Sequence, residues 1–154
     1  MYLKNKTSEV SADVTMQRIE RLLVSAGATG FQKLYANKIC SAIIFEIEFE
    51  PGKKVAVKLP AKVDLCRKAL WNDCVKTAPN TRKSESDFND QAERTAWRIV
   101  QEWVEVQVTL ITLRQIDFLQ AFMSHVWDGE MTYYERLQQR RFAGLLPAPN
   151  ESNG

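Results

Sequence analysis

From Ala92 onward apolar side chains recur at helical spacing: Ala96, Ile99, Val100, Trp103, Val104, Ile111, Phe118, Leu119, Phe122 and Val126. That spacing predicts helix, with apolar positions spread widely enough to bury more than one face. A strand is the competing reading across Val104 to Leu110, because Val104, Val106, Val108 and Leu110 alternate with Glu105, Gln107 and Thr109. Helix is preferred because neither Gly nor Pro interrupts Ser84 to Trp127 and both flanks read helical. One straight helix of that length would run about 60 Å, longer than a compact domain of this chain length. A break is therefore expected at Thr112 to Asp117, with Asp117 capping a second helix from Phe118.

Upstream the pattern changes twice. Thr15 reads as the N-cap of a helix reaching Ala26, with Val14 and Ile19 as a hydrophobic staple, Gly27 as the left-handed residue after it, and Ile19, Leu22, Leu23 and Ala26 as its buried stripe. Strands are expected at Phe31 to Ala36, Ile39 to Phe49 and Lys53 to Leu59, with turns at Asn37–Lys38 and Pro51–Gly52. Ile43, Phe45, Ile47 and Phe49 form the inward set, facing Val55, Val57 and Leu59, while Glu46 and Glu48 share the outer face with Lys54 and Lys58. Pro60 ends the sheet. A short helix follows within Lys62 to Val75, and KTAPNTRK, residues 76–83, reads as an exposed loop with Ser84 and Ser86 as candidate caps of the long helix. Thr132 and Glu135 make a capping box for a final helix to about Phe142. The expected fold is α+β: an N-terminal helix, a three-stranded antiparallel sheet, and a long C-terminal helical region packed on one face of it. Residues 1–14 read as a flexible N-terminus, 15–144 as a single domain and 145–154 as a disordered tail.

Composition narrows the class. The chain has 154 residues, 45% apolar and 26% charged, which suits one soluble domain that needs no metal or disulfide staple. Cys40, Cys66 and Cys74 form no CxxC pair and have no histidine close in sequence, so buried thiols in a reducing cytoplasm are expected rather than disulfides or zinc. The first residues, MYLKNKTSEVSADV, lack a signal-peptide pattern, and no apolar run of about 18 residues offers a membrane span. A net charge of +2 does not by itself argue for a nucleic-acid partner.

The order of pieces resembles a family of small, mostly uncharacterised proteins encoded by bacteriophages, prophages and mobile elements of bacteria. The residues that carry the likeness are Ile19 to Leu23 with Gly27 and Ala28; Val55, Val57, Leu59 and Pro60; Arg82, Lys83 and Ser84; Trp97 and Arg98; and Phe118, Phe122, Met123, His125, Val126, Asp128 and Gly129. It spans roughly Thr15 to Leu137 and consists of packing and capping residues, so it implies a fold and an origin rather than a mechanism. The chain departs from the family in carrying Arg114 where glycine is usual and in a longer segment from Lys62 to Ala78.

Little here assembles into catalysis. There is no GxSxG, GxxxxGK[ST], HExxH or GxGxxG, and the single histidine, His125, reads as a neutral side chain hydrogen-bonded at a helix end. Glu102 and Glu105 could share a helix face, and Cys66 stands beside Arg67 and Lys68, but nothing supplies the remaining ligands or a base. A non-enzymatic protein without cofactor or metal is expected.

The basic residues suggest more. Lys54, Lys58, Arg67, Lys68, Arg82 and Lys83 are the candidate nucleic-acid contacts; Arg82 and Lys83 precede a helix start, where backbone N–H groups and the helix dipole favour phosphate, and Trp71 is available for stacking. Lys53, Lys62, Lys76, Arg136, Arg140 and Arg141 could extend the same surface. A solvated, mixed-charge surface is the simpler account. The expected function is that of a phage or mobile-element accessory protein binding DNA or RNA. The alternative is a protein-interaction module that inhibits or adapts a host or phage protein, or self-associates, through long-helix residues such as Trp103 and Phe122.

Overall fold

The computed structural model describes residues 1–145 and Pro147; the expected tail over 145–154 otherwise lies outside the described residues. Helix α1 spans Ala12–Ser25 and begins one turn earlier than the sequence pattern predicts. Ser11 is its cap, accepting the Val14 N–H at 3.3 Å, while Thr15 is fully buried inside the first turns. The reason is that the apolar stripe extends back through Ala12 and Met16 and joins Ile19 and Leu23 in the core. At the other end Gly27 takes φ +112°, as expected, and its N–H and that of Ala28 close onto Val24 and Leu23 carbonyls at 3.1 and 2.9 Å.

Strands β1 (Thr29–Ala36), β2 (Ile39–Glu50) and β3 (Lys53–Pro60) form an antiparallel meander. Asn37 and Lys38 both take positive φ, the two-residue turn whose twist matches that of the strands. The register has the expected parity, with Ile43 opposite Leu59, Phe45 opposite Val57, Ile47 opposite Val55 and Glu48 opposite Lys54. Phe49 departs from the inward set: a register shift between Glu48 and Glu50 turns it out of alternation and leaves it 40% exposed. The sheet also has a fourth strand, β4 (Val126–Trp127), which pairs with the free edge of β3 through Ala56–Trp127 and Val57–Val126. This corrects the expected three strands. Two residues are too short to show alternation, and only an open β3 edge makes them a strand.

Helix α2 covers Val63–Thr77; a single 3-10 turn, Glu85–Phe88, leads into α3 (Asn89–Thr112). The Val104 to Leu110 alternation is helical. α3 stops inside the expected window, and α4 (Phe118–Phe122) starts under Asp117, whose carboxylate accepts the Gln120 N–H at 2.7 Å. Between them Arg114 takes φ +58°, with its N–H on the Ile111 carbonyl and that of Gln115 on Leu110, both at 3.0 Å. This is the hydrogen-bond pattern that normally recruits glycine. A second 3-10 turn, Met123–His125, carries the chain into β4, and α5 (Tyr133–Gln139) closes the described fold under the expected Thr132–Glu135 capping box.

α1, α3 and α4 cover the inner face of the sheet. Fully buried Trp97 of α3 donates its indole N–H to the Cys40 carbonyl of β2 at 3.2 Å, and Phe45 of β2 meets Phe122 edge-on at 5.3 Å. The N-terminal segment expected to be flexible lies along α3: the Asn5 carbonyl accepts from Thr95, the Ser8 carbonyl from Gln91 and Arg94, and Lys4 pairs with Glu102 at 2.9 Å. Among the described residues no helix is long and apolar enough to cross a membrane.

Replacing Trp97 with Phe removes a buried donor to a strand carbonyl, and chemical denaturation should show a loss of about 1–3 kcal/mol. Arg114→Gly should have the opposite sign. It relieves a left-handed non-glycine residue and should raise stability by about 0.5–1 kcal/mol, net of the added freedom of the unfolded chain.

Candidate functional site

Pro60 stops β3, and α2 begins three residues later, so Lys62 stands at the N-cap of that helix. It offers no side-chain acceptor; the Val63 N–H closes onto the Ala61 carbonyl at 2.9 Å, and Asp64 brings a carboxylate into the first turn. Two clefts meet at Lys62. One, of about 650 Å³, lies between the β1–β2 turn (Asn37, Ile39) and the start of α2, with Asp64, Arg67 and Asn89 on its walls. The other, of about 530 Å³, is bounded by Lys58 and Pro60 of β3, His125, and Thr132, Tyr134 and Glu135 at the start of α5. Together they form a groove along the β3–α2 junction.

The walls of the second cleft are positioned by local hydrogen bonds. Asp128 Oδ1 accepts the Glu130 and Met131 N–H groups, each at 2.9 Å, and its Oδ2 accepts from Arg136 Nε at 2.7 Å. The Arg136 guanidinium and the two backbone donors hold that carboxyl well below the usual range, tying the turn to α5. Arg136 is thereby spent within the fold, on Asp128 and Glu130. Hydrogen bonds from the Thr132 N–H and hydroxyl hold Glu135 below its ordinary value, helped by the charges of Lys58 and Lys62. His125 packs edge-on against Trp103 at 5.6 Å. Burial, and then the Lys62 ammonium, push its pKa below the ordinary imidazole value, so it is neutral at physiological pH.

Among the described residues Lys58 and Lys62 form no ion pair. Lys58 lies 5.6 Å over the Trp127 ring, and its charge reaches Glu135 without a direct ion pair. Two ammonium groups, a neutral imidazole and the half-exposed Tyr134 ring share this cleft with the Glu135 carboxylate, whose hydrogen bonds go to Thr132, and the ammonium pair with a planar ring beside it is suited to phosphate with an adjacent planar group.

The structure does not gather the six candidate basic residues into one patch. Lys58 lines the second cleft and Arg67 the first, but Arg67 is committed to Asp64 at 3.0 Å and Glu85 at 3.4 Å. Lys54 lies opposite Glu48, and Lys68 lines a separate depression with Asp73 and Lys76. Arg82 and Lys83 are exposed outside the groove, with the Lys83 ammonium 5.7 Å from the Phe88 ring. The helix start beyond them carries its own anions: Asp87 accepts the Ser84 N–H at 2.8 Å, and Glu85 and Asp90 add charge of the same sign. Trp71 packs against Phe88.

Phe122, an expected interaction residue, is 0% exposed, wedged between Phe45 and Trp103, and is corrected to core; Trp103 beside it stays 37% exposed. Burial pushes the Cys66 thiol up, opposite to a nucleophile's requirement, and its neighbour Arg67 is turned to carboxylates. Glu102 and Glu105 are drawn apart, the first to Lys4, Asn5 and Arg98, the second to Gln101. Lys62 counts for more, and Tyr134 enters, relative to the sequence reading. A proline-ended strand directly before a helix is a readable signal for Lys62; Tyr134 carries none.

In an NMR titration His125 should titrate below 6.5, and Lys62→Gln should raise that pKa while leaving it under 6.5, because burial is the larger cause. Since the folded pKa is the lower one, the histidine should cost stability only as pH falls below the unfolded value of about 6.5.

Compared with protein-family models, with curated proteins and with solved structures, the chain matches none.

Proposed function

We propose that this protein is a non-enzymatic nucleic-acid-associated accessory protein of the phage or mobile-element kind, and that it holds phosphates in the groove at the β3–α2 junction. The observation that carries the reading is the pair Lys58 and Lys62, which among the described residues form no ion pair and line one cleft, with Lys62 also lining the second at the start of α2. A phosphate there gains two ammonium contacts, and binding should release counterions. This moves the centre of the proposed surface from Arg82 and Lys83 to the sheet edge.

One observation favours a second reading. Trp103, Val106 and Leu113 are 37%, 55% and 63% exposed along α3 and its C-terminal end, apolar surface of the kind protein partners cover. It would make the chain a protein-interaction module.

Fluorescence anisotropy with labelled single- and double-stranded oligonucleotides at two salt concentrations separates the readings. Lys58→Gln/Lys62→Gln should weaken binding and reduce the log–log salt slope by about 2, roughly one for each phosphate no longer neutralised, whereas Arg82→Ala/Lys83→Ala should change it less. No binding by the wild type at low salt would sink the nucleic-acid reading.

A further inference from the structure

The basic groove is not basic throughout. In the cleft that holds Lys58 and Lys62, the wall formed by the start of α5 carries Thr132, Tyr134, Glu135 and Gln138. Glu135 is the residue that a plain phosphate site would not contain. It faces the same cleft as the two ammonium groups, yet forms an ion pair with neither among the described residues. The hydrogen bonds it accepts, from the Thr132 N–H at 3.1 Å and the Thr132 hydroxyl at 3.0 Å, both fall on Oε1. Among the described residues Oε2 accepts none, and Glu135 is exposed. The Thr132 hydrogen bonds, and then the charges of Lys58 and Lys62, keep the group ionised.

A phosphate alone would gain from the lysines and lose against that carboxylate. A phosphodiester with a hydroxyl donor on its own sugar turns the carboxylate into a contact, because hydrogen bonds to an ionised acceptor are among the stronger polar interactions. Ribose carries such a donor at its 2′ position, on the sugar that bears the 3′-phosphate; deoxyribose carries none. Tyr134 completes the set. Its ring lies 5.9 Å from that of Phe142 at a tilt of 51°, a contact that steadies it, and it stays 49% exposed. A half-exposed ring on a cleft wall can receive a base that is free of stacking in its own strand. The cleft, about 530 Å³, falls within the range of ligand sites, about 300–1,000 Å³, with room for one nucleotide unit.

We propose that the groove selects single-stranded RNA over DNA: Lys58 and Lys62 hold a phosphate, Glu135 Oε2 accepts the 2′-hydroxyl of the same nucleotide, and an unpaired base lies on Tyr134. This rests on the nucleic-acid reading and names its partner. One acceptor then acts twice in the same direction. It adds a hydrogen bond to RNA, and it leaves DNA with an unanswered carboxylate beside its phosphate.

The test is fluorescence anisotropy of the full chain at low salt with labelled single strands of one mixed sequence: RNA, DNA, and 2′-fluoro RNA, which keeps an RNA-like sugar conformation without the hydroxyl. RNA should bind roughly tenfold more tightly than either of the others. In Glu135→Gln, where glutamine still serves the capping box, the gap between RNA and 2′-fluoro RNA should close and DNA should bind more tightly than to the wild type. Tyr134→Leu should weaken RNA binding by roughly tenfold. Equal affinity for RNA and DNA, with both weakened in Lys58→Gln/Lys62→Gln, would overturn the selection and leave the nucleic-acid reading standing. RNA and 2′-fluoro RNA bound alike would overturn it by assigning the preference to sugar conformation, and a gap unchanged in Glu135→Gln would remove Oε2 from the contact. Unchanged RNA affinity in Tyr134→Leu would overturn the single-strand part. If no probe binds, the nucleic-acid reading itself fails, and the selection with it.

Discussion

A buried indole must find an acceptor, and in this fold Trp97 finds it on the sheet. Its N–H reaches the Cys40 carbonyl of β2, beside the point where a register shift between Leu34 and Tyr35 leaves Ser41 as the extra residue. That contact joins the centre of α3 to the strand at the middle of the meander, and both partners are fully buried. With α3 held there, α1 lies parallel beside it, the N-terminal segment is bonded along its outer side, and α2 packs from the end of β3. Loss of the hydrogen bond would strand a carbonyl in the core, and each of these elements takes its position from the helix that the bond anchors.

The same helix places the basic groove through a chain of aromatic contacts. Phe45 meets Phe122, Phe122 meets Trp103, and Trp103 meets His125, with ring centroids 5.3 to 5.6 Å apart. His125 ends the turn after α4 and is followed at once by β4, so its position beside Lys62 is an outcome of core packing. The polar side of the groove is built differently. Asp128 and Glu135 spend their charges on local backbone N–H groups and on Arg136, which fixes α5 without neutralising Lys58 or Lys62 at close range. A surface ammonium with no direct ion pair retains more of its field for a ligand than one in an exposed pair such as Lys53–Glu50.

Much of the architecture is legible in local patterns. The Ile43–Phe45–Ile47 alternation and its parity with Val57 and Leu59, the glycine after α1, the Asp117 cap and the Thr132–Glu135 box each follow from rules that act within a few residues, and the structure keeps them all. The departures are cases where a distant element decides. Thr15 is buried instead of capping because α3 covers the first turn of α1, and Val126–Trp127 becomes a strand because β3 has an edge to pair with.

The candidate sites divide along the same line. That the chain is α+β, with a long interrupted helix and a scatter of basic residues near Lys54 to Lys83, was determined by the sequence itself, since periodicity and capping are properties of contiguous residues. Which of those charges stay free was decided only by the tertiary structure. Arg67 meets Glu85 from beyond the loop, Lys58 and Lys62 form no ion pair among the described residues, and Gln101 turns its amide toward Glu105. Pairing, burial and cleft shape depend on distances between segments far apart in the chain, and local pattern carries no measure of those distances.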